Sequence, residues 1–538
     1  MVAPHVDRTD ISPIGEPMRS RRHTWTTSIR RHARMTPDAP ALSFLGEVTT
    51  WAQLERRTDA LASALARRGI GFGDRVVVLM LNRPEYLEIV VAVNRIGAIA
   101  VPVNFRMTPA EVSFIVDDCA AKMLVADAPL VQLATAVAQR CGSVRHLVVT
   151  GVPDVLGEHE SFEALTDEVG DPAPVVDVPE ESVMLLMYTS GTTGRPKGAM
   201  LSYSNIMSQT MTALHASPIG AQDRPSCVVP MFHIAGIVSF APSIHVGAVM
   251  LIQPLGAFDP DVFLDTAQAD RTTSVFLVPA QWQLVCAAQL ARPRTLALRT
   301  LSWGAAPASD AVLRAMAQAF PDAENLAMFG QTEMSPVTCC LRGVDSLRKI
   351  GSVGRVVESV EARVVDSEMN DVAPGEVGEI VYRGTGLMLG YWNNPQGTAA
   401  AFDGGWFHSG DLVRVDDEGF VYVVDRKKDM IISGGENIYC AELENVLADH
   451  PLIVEAAVIG RSDPTWGEVP IAVVVTSGEQ VSVADLTVFL DQRLARFKHP
   501  KDVVVLSELP RTATGKVRKP DLRAAYGGSD SALTEHRI

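Results

Sequence analysis

The sequence predicts an α/β protein with a large domain of parallel-type sheets covered by helices and a smaller unit after it. Short apolar runs such as residues 75–81 and 182–188 alternate with segments of helical spacing such as 85–97, which ends on a glycine. Alternation of this kind is typical of parallel sheets buried under helices. After about residue 350 closely spaced strands and turns follow, which predicts a small antiparallel or β-barrel-like subdomain.

The chain begins with residues 1–24, which show no periodicity and predict a tail. Six arginines make the stretch 18–34 basic. A solvated helix face is the favoured interpretation, and a weak contact with an anionic membrane surface is the alternative. Further buried strands are predicted at 247–253, 273–279 and 298–304, and from about residue 428 a helix, a strand and a second helix predict a small α+β unit.

Composition excludes several classes of protein. The chain has 538 residues and a formal net charge of −16, which disfavours binding to nucleic acid through its phosphates. Seven cysteines without a C-x-x-C pair indicate neither a zinc site nor a disulfide framework, and they fit a cytoplasmic protein. The N-terminal residues lack the apolar core of a signal peptide. The best membrane-span candidate, 236–255, is interrupted by Pro242 and Gly247, so a buried helix followed by a buried strand is the better interpretation.

A segment rich in glycine and hydroxyl groups, residues 188–198, directly follows one of the predicted buried strands. Its glycines let backbone N–H groups approach a polyanion, its hydroxyls can donate hydrogen bonds, and Lys197 adds a positive charge. The segment therefore predicts a phosphate-binding loop. It is not a Walker-type P-loop, because Gly198 follows the lysine where that motif requires Ser or Thr.

Six more segments follow in order: SWGAAP (302–307), MFGQTE (328–333), GYWNNP (390–395), WFHSGD (406–411), DRKKDMIISGGENI (425–438) and LPRTATGK (509–516). Together with the loop, they make the chain similar to the adenylate-forming superfamily over about residues 25–525. The resemblance is to its acyl-CoA synthetase or fatty-acid–CoA ligase branch. It implies that ATP and Mg²⁺ serve to activate a carboxylic acid as an acyl-adenylate, and that coenzyme A then takes the acyl group.

The resemblance also implies a domain division. An adenylation domain at 25–427 would bind the acid and ATP, and a mobile domain at 428–526 would carry the catalytic lysine and the CoA tunnel, with a second tail at 527–538. Lys428 would be the hinge. A small domain that turns about a hinge can close the site off from water for each half-reaction in turn.

By the same resemblance, several residues acquire roles at the nucleotide. Glu333 and Thr189 are expected to hold magnesium, which prefers hard oxygen ligands. Lys516 would stabilise the charge that accumulates when a carboxylate attacks the α-phosphate. The expected catalytic residues are Lys516, Glu333, Thr332 and Thr189. The expected ATP or AMP contacts are Thr189, Ser190, Gly191, Thr192, Thr193, Gly194, Lys197, Gly304, Ala305, Ala306, Pro307, Phe329, Gly330, Thr332, Asp411, Arg426 and Lys516.

The acid is expected near His233, in the stretch 229–236, with Phe232, Trp303 and Met328 as further pocket residues. Many of these apolar residues could equally belong to the core. Amino-acid-activating relatives place an aspartate here to pair with the substrate ammonium, so an amino acid is disfavoured. A medium- to long-chain fatty acid is the leading expectation, and a cyclic, sterol-derived or aromatic acid is the second.

Coenzyme A is the expected acceptor, because Ser433, Gly434 and Gly435 leave room for a slim pantetheine chain. A fatty acyl-AMP ligase that serves a carrier protein is the alternative, and the uninterrupted run 411–428 argues against it. A luciferase-like oxygenase and a non-catalytic binding protein are further alternatives. A homodimer and a peripheral position on the membrane are left open.

Overall fold

Two large sheets form most of the chain, and the computed structural model describes residues 23–151, 159–168, 176–189, 196–306, 308–433, 436–478, 480–491, 493–511 and 516–528. The first sheet has nine strands, of which six neighbouring ones run parallel. In spatial order they are Arg355–Val356, Val337–Leu341, Glu324–Gly330, Thr300–Gly304, Ser274–Leu277, Pro225–Cys227, Met250–Ile252, Pro40–Phe44 and Glu47–Thr50. The second sheet has seven, all parallel except the last pair: Glu160–Ser161, His146–Thr150, Met123–Asp127, Arg75–Leu79, Ile99–Pro102, Val183–Thr189 and Lys197–Ser202.

Two smaller sheets follow. A four-stranded antiparallel sheet comprises Val360–Val365, Gly378–Gly384, Phe407–Val415 and Val421–Arg426, in the region where strands and turns were predicted. The last sheet belongs to the small α+β unit and comprises Glu436–Ile438, Ile431–Ser433, Gly467–Thr476 and Ile453–Asp463, with Asp502–Val505 added parallel to the third of these. The predicted α/β class and the small second unit are confirmed.

Helices cover the sheets. The α-helices of the described residues are Trp25–Met35, Trp51–Arg67, Pro84–Arg95, Pro109–Asp118, Val131–Arg140, Phe162–Asp167, Tyr203–Ala216, Ile234–Val238, Phe240–Val246, Pro260–Ala269, Pro279–Ala291, Asp310–Ala319, Gly343–Ser346, Pro395–Ala401, Cys440–Leu447, Val483–Leu490 and Lys519–Tyr526. Short 3₁₀ turns lie at Ala128–Leu130, Thr332–Met334, Asp403–Gly405 and Arg496–Lys498.

The helix Pro84–Arg95 shows how the core is built. Proline begins it, Gly97 follows it with φ +73°, and every residue from 86 to 95 is buried. A helix that is buried all round must satisfy its charges inside the protein, and Glu88 does so through a 2.6 Å contact with Arg57. The helix packs against strands of both large sheets.

The rejected membrane-span candidate lies inside the protein. It forms two short helices, Ile234–Val238 and Phe240–Val246, and then the buried strand Met250–Ile252, as the interpretation above predicts. In the described part of the chain, no helix combines the length and the apolar character that crossing a membrane requires.

The basic N-terminal stretch is described from residue 23. Its helix buries Trp25, Ile29 and His32, while Arg30 pairs with Glu55 at 3.4 Å on the outside. This arrangement agrees with the solvated helix face that the sequence favours. Contact with a membrane stays a prediction.

Candidate active site

The two strands that flank the predicted phosphate loop pair in antiparallel register, with Thr189 opposite Lys197. The loop residues 190–194, predicted to contact ATP, lie outside the described residues. The incoming strand is fixed by Tyr188, whose hydroxyl donates to Asp118 Oδ2 at 2.5 Å. The hairpin therefore holds Thr189 and Lys197 side by side at the mouth of the loop.

Glu333 lies in the tight 3₁₀ turn Thr332–Met334 at the carboxyl end of a parallel strand of the first sheet. A Cβ on Gly330, which ends that strand, would lie 1.8 Å from the carbonyl oxygen of Pro336, so only glycine fits there. Thr332 is half-buried in the same turn. Ligands of open parallel sheets bind beyond the carboxyl ends of the strands, and the turn lies at that edge.

The Glu333 carboxylate is held by two hydroxyl groups. Glu333 is 8% exposed, and its Oε1 accepts hydrogen bonds from Thr189 Oγ1 at 3.2 Å and from the Tyr391 hydroxyl at 3.1 Å. Within the part of the chain that the structure describes, both bonds reach Oε1, so Oε2 can face a cation. A buried carboxylate beside a hydroxyl fits Mg²⁺, which takes one or two carboxylates and keeps several waters.

Asp411 and Arg426 face each other across two neighbouring antiparallel strands. Arg426 Nε lies 2.8 Å from Asp411 Oδ1, and Asp411 is buried whereas Arg426 is 42% exposed. Burial raises the pKa of Asp411 from its ordinary 3.8 to about 6, although Arg426 and Lys516 oppose this effect. Arg426 thus engages one oxygen of the carboxylate, and a carboxylate has lone pairs enough to accept a hydroxyl ligand as well.

The structure places Lys516 at the same edge, while the preceding loop, 512–515, lies outside the described residues. Burial lowers the pKa of the Lys516 ammonium, and the positive charge of Arg426 adds to the effect. The residue is nevertheless exposed, so its ammonium is only partly desolvated. The charged groups that act on it most strongly are those of Arg426, Asp411, Lys428 and Glu333.

His233 lies at the start of the helix Ile234–Val238, next to the buried ring of Phe232. Asn82 fixes the preceding loop from both sides, because its amide donates to Val229 O at 2.9 Å and accepts from the Met231 N–H at 2.8 Å. The Asn82 side chain thus holds the backbone on both sides of Pro230.

Three rings follow one another here. The Phe232 ring lies 5.2 Å from the His233 ring and 5.5 Å, edge on, from that of Phe105. Arg106 lies 5.3 Å over the Phe105 ring. Burial lowers the pKa of His233 to about 4, with further contributions from the charges of Lys516 and Arg106, so the imidazole is neutral at pH 7.

The predicted nucleotide contacts at 304–307 and Phe329 lie at the ends of two adjacent parallel strands. Gly304 pairs with Met328, and a Cβ on Gly304 would lie 2.2 Å from the Met328 carbonyl oxygen. Ala305 and Ala306 follow on the surface. Ala305 has φ +65°, a backbone conformation that residues other than glycine seldom adopt. Phe329 is half-buried, and Pro307 lies outside the described residues.

Trp303, predicted to line the acid pocket, packs in the core of the first sheet. It is 6% exposed, and its indole Nε1 donates to Asn325 Oδ1 at 2.6 Å. The strand alternates, so Trp303 shares a face with Leu301 and joins the same cluster of buried residues. Packing in the core and the hydrogen bond of the indole N–H explain why Trp303 is buried at this position. Met328 is half-buried.

The predicted CoA-binding and hinge residues lie in the small unit and just before it. Ser433 is half-buried and pairs with Glu436 in a short hairpin and with Gly467 of the neighbouring strand. Gly434 and Gly435 lie outside the described residues. Lys428 follows the last strand of the antiparallel sheet, close enough for its charge to act on Lys516.

Three residues of this region were missed by sequence reasoning. Tyr391 stands inside the quoted segment 390–395, where a phenol next to a glycine could have been recognised as a possible hydrogen-bond donor. Phe105 and Arg106 lie in no motif and far from His233 in the chain, so only the fold brings them there.

Comparison with known proteins gives the family. The family model described as AMP-binding enzyme matches residues 29–392, and the model of its C-terminal domain matches 442–516. The chain belongs to the AMP-binding enzymes.

Characterised members resemble this AMP-binding enzyme over nearly their whole length. It is 37% identical to indoleacetate–CoA ligase of Aromatoleum aromaticum, over 92% of this chain and 96% of that one. It is 39% identical to feruloyl-CoA synthase of an Amycolatopsis species, over 92% and 98%. It is 34% identical to the long-chain-fatty-acid–CoA ligase FadD13 of Mycobacterium tuberculosis, over 89% and 93%.

Among solved structures, o-succinylbenzoate coenzyme A synthetase from Bacillus subtilis, in complex with ATP and magnesium ion, superposes with a TM-score of 0.81. It is 29% identical, over 92% of this chain and 99% of that one. This AMP-binding enzyme is accordingly an ATP-dependent acid–CoA ligase that acts through an acyl-adenylate and uses ATP, Mg²⁺ and coenzyme A.

Proposed function

We propose that this enzyme activates aromatic acids, such as arylacetic or hydroxycinnamic acids, and transfers them to coenzyme A. The observation that carries the proposal is the row of rings formed by Phe105, Phe232 and His233 beside Lys516. Aromatic rings prefer edge-to-face or offset contacts with each other, and such pairs contribute about 0.5–1.5 kcal/mol beyond the area they bury. The relatives named for indoleacetate and ferulate support the same choice.

The neutral state of His233 strengthens the proposal. With a pKa of about 4 the imidazole carries no charge at pH 7, so it can lie against an apolar ring without bringing a charge into the pocket. Arg106, over the Phe105 ring, supplies a cation near the outer end of the row. An acid with a phenol at its far end therefore meets apolar rings and a cation that can donate to its hydroxyl oxygen.

For the adenylation step, we propose that the residues around Glu333 and Asp411 grip the nucleotide while Lys516 acts on the reacting atoms. Mg²⁺ bound by Glu333 and Thr189 would neutralise charge on the phosphates. Thr332, Lys197 and the loop 190–194 are assigned to the phosphates, Phe329 and 304–307 to the base, and Gly330 to the turn that shapes this edge. Asp411 and Arg426 are assigned to the ribose.

Lys516 has the chemistry that the step needs. When the substrate carboxylate attacks the α-phosphate, negative charge builds up on both partners, and a lysine between them stabilises it. The lowered pKa of the ammonium reflects a partly desolvated position, where a charge interacts more strongly than in water. The proximity of Lys516 to both Glu333 and His233 supports a place between nucleotide and acid.

For the thioester step, we propose that the small domain, residues 428–526, turns about Lys428 and brings Ser433, Gly434 and Gly435 to the site as a pantetheine tunnel. The position of Lys428, directly after the antiparallel sheet, supports this boundary. The chain continues from Asp411 to Lys428 as two strands and a turn, without an inserted segment, which supports CoA rather than a carrier protein as the acceptor.

Fatty acids are the second candidate, and FadD13 is the relative that favours them. To decide, each acid is incubated separately with ATP, Mg²⁺ and CoA, and AMP and thioester are quantified. We expect kcat/KM at least tenfold higher for indoleacetate or ferulate than for dodecanoate. A preference for dodecanoate would overturn the aromatic assignment, and adenylate without thioester would overturn CoA as the acceptor.

A further inference from the structure

The segment 388–392 connects the two parts of the magnesium site, although it belongs to no helix or strand. On one side it pairs with the strand that leaves the phosphate loop: the Trp392 N–H donates to Gly198 O at 2.7 Å, and the Met200 N–H donates to Gly390 O at 3.0 Å. On the other side the Met388 N–H donates to the backbone carbonyl of Glu333 at 2.8 Å. The backbone thus fixes this segment against both the loop strand and the turn of Glu333.

Tyr391 projects from the middle of this segment into the gap. Its hydroxyl donates to Glu333 Oε1 at 3.1 Å, the same oxygen that accepts from Thr189. The ammonium of Lys197 lies 5.1 Å from the centroid of its ring, within the range of a cation–π contact. One side chain therefore touches both the predicted metal ligand and the predicted phosphate-binding lysine.

We infer that Tyr391 is a positioning residue for the metal–triphosphate complex, which turns Glu333 so that Oε2 faces the metal and holds Lys197 beside the phosphate loop. The inference rests on the proposed role of Glu333 as a magnesium ligand. Side chains that orient metal ligands through hydrogen bonds typically change metal affinity or activity by about 10–100-fold when they are removed.

The Tyr391 hydroxyl is a suitable group for this role, because a phenol O–H can donate to a carboxylate oxygen and the observed contact has that geometry. Without the Tyr391 hydroxyl, the described side-chain contacts leave Thr189 as the remaining donor to the carboxylate, and one hydrogen bond restrains Glu333 less than two do.

The test is Tyr391→Phe, which removes only the hydroxyl. Binding of Mn²⁺ together with ATP is measured by electron paramagnetic resonance, and binding of ATP without metal by calorimetry. We expect about tenfold or greater loss of Mn²⁺ affinity in the ATP complex and an unchanged affinity for metal-free ATP. The matched control is Tyr203→Phe, because that buried phenol donates to Asn94 O at 3.0 Å away from the site, and it should bind as the wild type.

Glu333→Gln tests the role of Glu333 as a magnesium ligand separately from the positioning role of Tyr391. If Glu333→Gln weakens Mn²⁺ binding and Tyr391→Phe stays within twofold of wild type, the role of Tyr391 is wrong and that of Glu333 stands. If Glu333→Gln also binds Mn²⁺ as the wild type does, both are wrong. If both variants weaken Mn²⁺ binding while melting temperatures match the wild type, Tyr391 acts through Glu333.

Discussion

The two halves of the proposed active site are held in different ways. On the proposed nucleotide side, hydrogen bonds and an ion pair join side chains from separate elements, as Thr189 and Tyr391 do at Glu333 and Arg426 does at Asp411. On the proposed acid side, Phe105, Phe232 and His233 meet through ring contacts of 5.2–5.5 Å.

This difference explains which half is specific. Hydrogen bonds and ion pairs require particular atoms at particular distances, so a side built from them recognises one ligand and tolerates few changes. Apolar contacts depend on shape and area, and exchanging one apolar group for another costs only about 1–3 kcal/mol. The nucleotide half should therefore respond to substitution with loss of activity, and the acid half with a change of substrate.

The largest effect is expected for Lys516→Ala. Removing a preorganised charge from the transition state typically costs about 10²–10³-fold in rate, and ATP should still bind because the other nucleotide contacts remain. Acid-dependent release of pyrophosphate measures the rate, and calorimetry measures ATP affinity. Retention of more than about a tenth of the wild-type rate would show that Lys516 does not stabilise the reacting atoms.

Asp411→Asn should weaken ATP binding by about tenfold or more, since a hydrogen bond to a charged group contributes about 1.5–3 kcal/mol. For the same reason, the affinity of the wild type should fall as pH drops through about 6 and Asp411 takes up a proton. Titrations with ATP between pH 5 and 8 check both points, and a wild-type affinity that is flat across this range would contradict them.

Asp411→Asn should weaken ATP binding but should not lower the stability of the fold near pH 8. The pKa of Asp411 is higher in the folded protein than its ordinary value, so its favourable contribution to folding is present below about pH 3.8 and is lost as pH rises through 6. At pH 8 Asp411→Asn should melt no lower than the wild type. A fall of several degrees would mean that the ion pair with Arg426 outweighs the cost of burying the carboxylate.

The smallest effect on total activity is expected for Phe105→Leu, which keeps an apolar group but removes the ring. The ratio of kcat/KM for indoleacetate to that for dodecanoate should fall by about tenfold, while KM for ATP should stay within twofold. Leu45→Ala is a suitable control, because this exposed side chain lies on a hairpin of the first sheet. An unchanged ratio would remove Phe105 from the acid pocket.

The same difference between the two halves determines how many of the proposed site residues could be predicted from the sequence. Phosphates and magnesium limit the residue types that can bind them, so motifs were enough to predict these roles for Thr189, Glu333, Asp411 and Lys516. The structure brings the four residues to one edge, and their roles stay predictions. The strands and helices were likewise predicted by apolar spacing, because burial on one face or both imposes a period on the sequence.

The residues of the proposed acid pocket carry no such signal. An aromatic or aliphatic side chain is equally suited to the core, so Trp303 was predicted to line the pocket although core packing and its bond to Asn325 account for it. Phe105 was missed because its contact with Phe232 depends on how two sheets distant in sequence pack together. The expectation of a fatty acid had the same ambiguity, because apolar pocket residues alone do not distinguish an alkyl chain of the substrate from an aromatic ring.

Direct competition is the most decisive measurement. Equimolar indoleacetate, ferulate and dodecanoate are supplied together with ATP and Mg²⁺. The amount of CoA is limited so that only a small fraction of each acid can be converted. The thioesters are then quantified by mass spectrometry. The aromatic pocket predicts that the two aryl thioesters together exceed dodecanoyl-CoA by at least tenfold. An excess of dodecanoyl-CoA would contradict it.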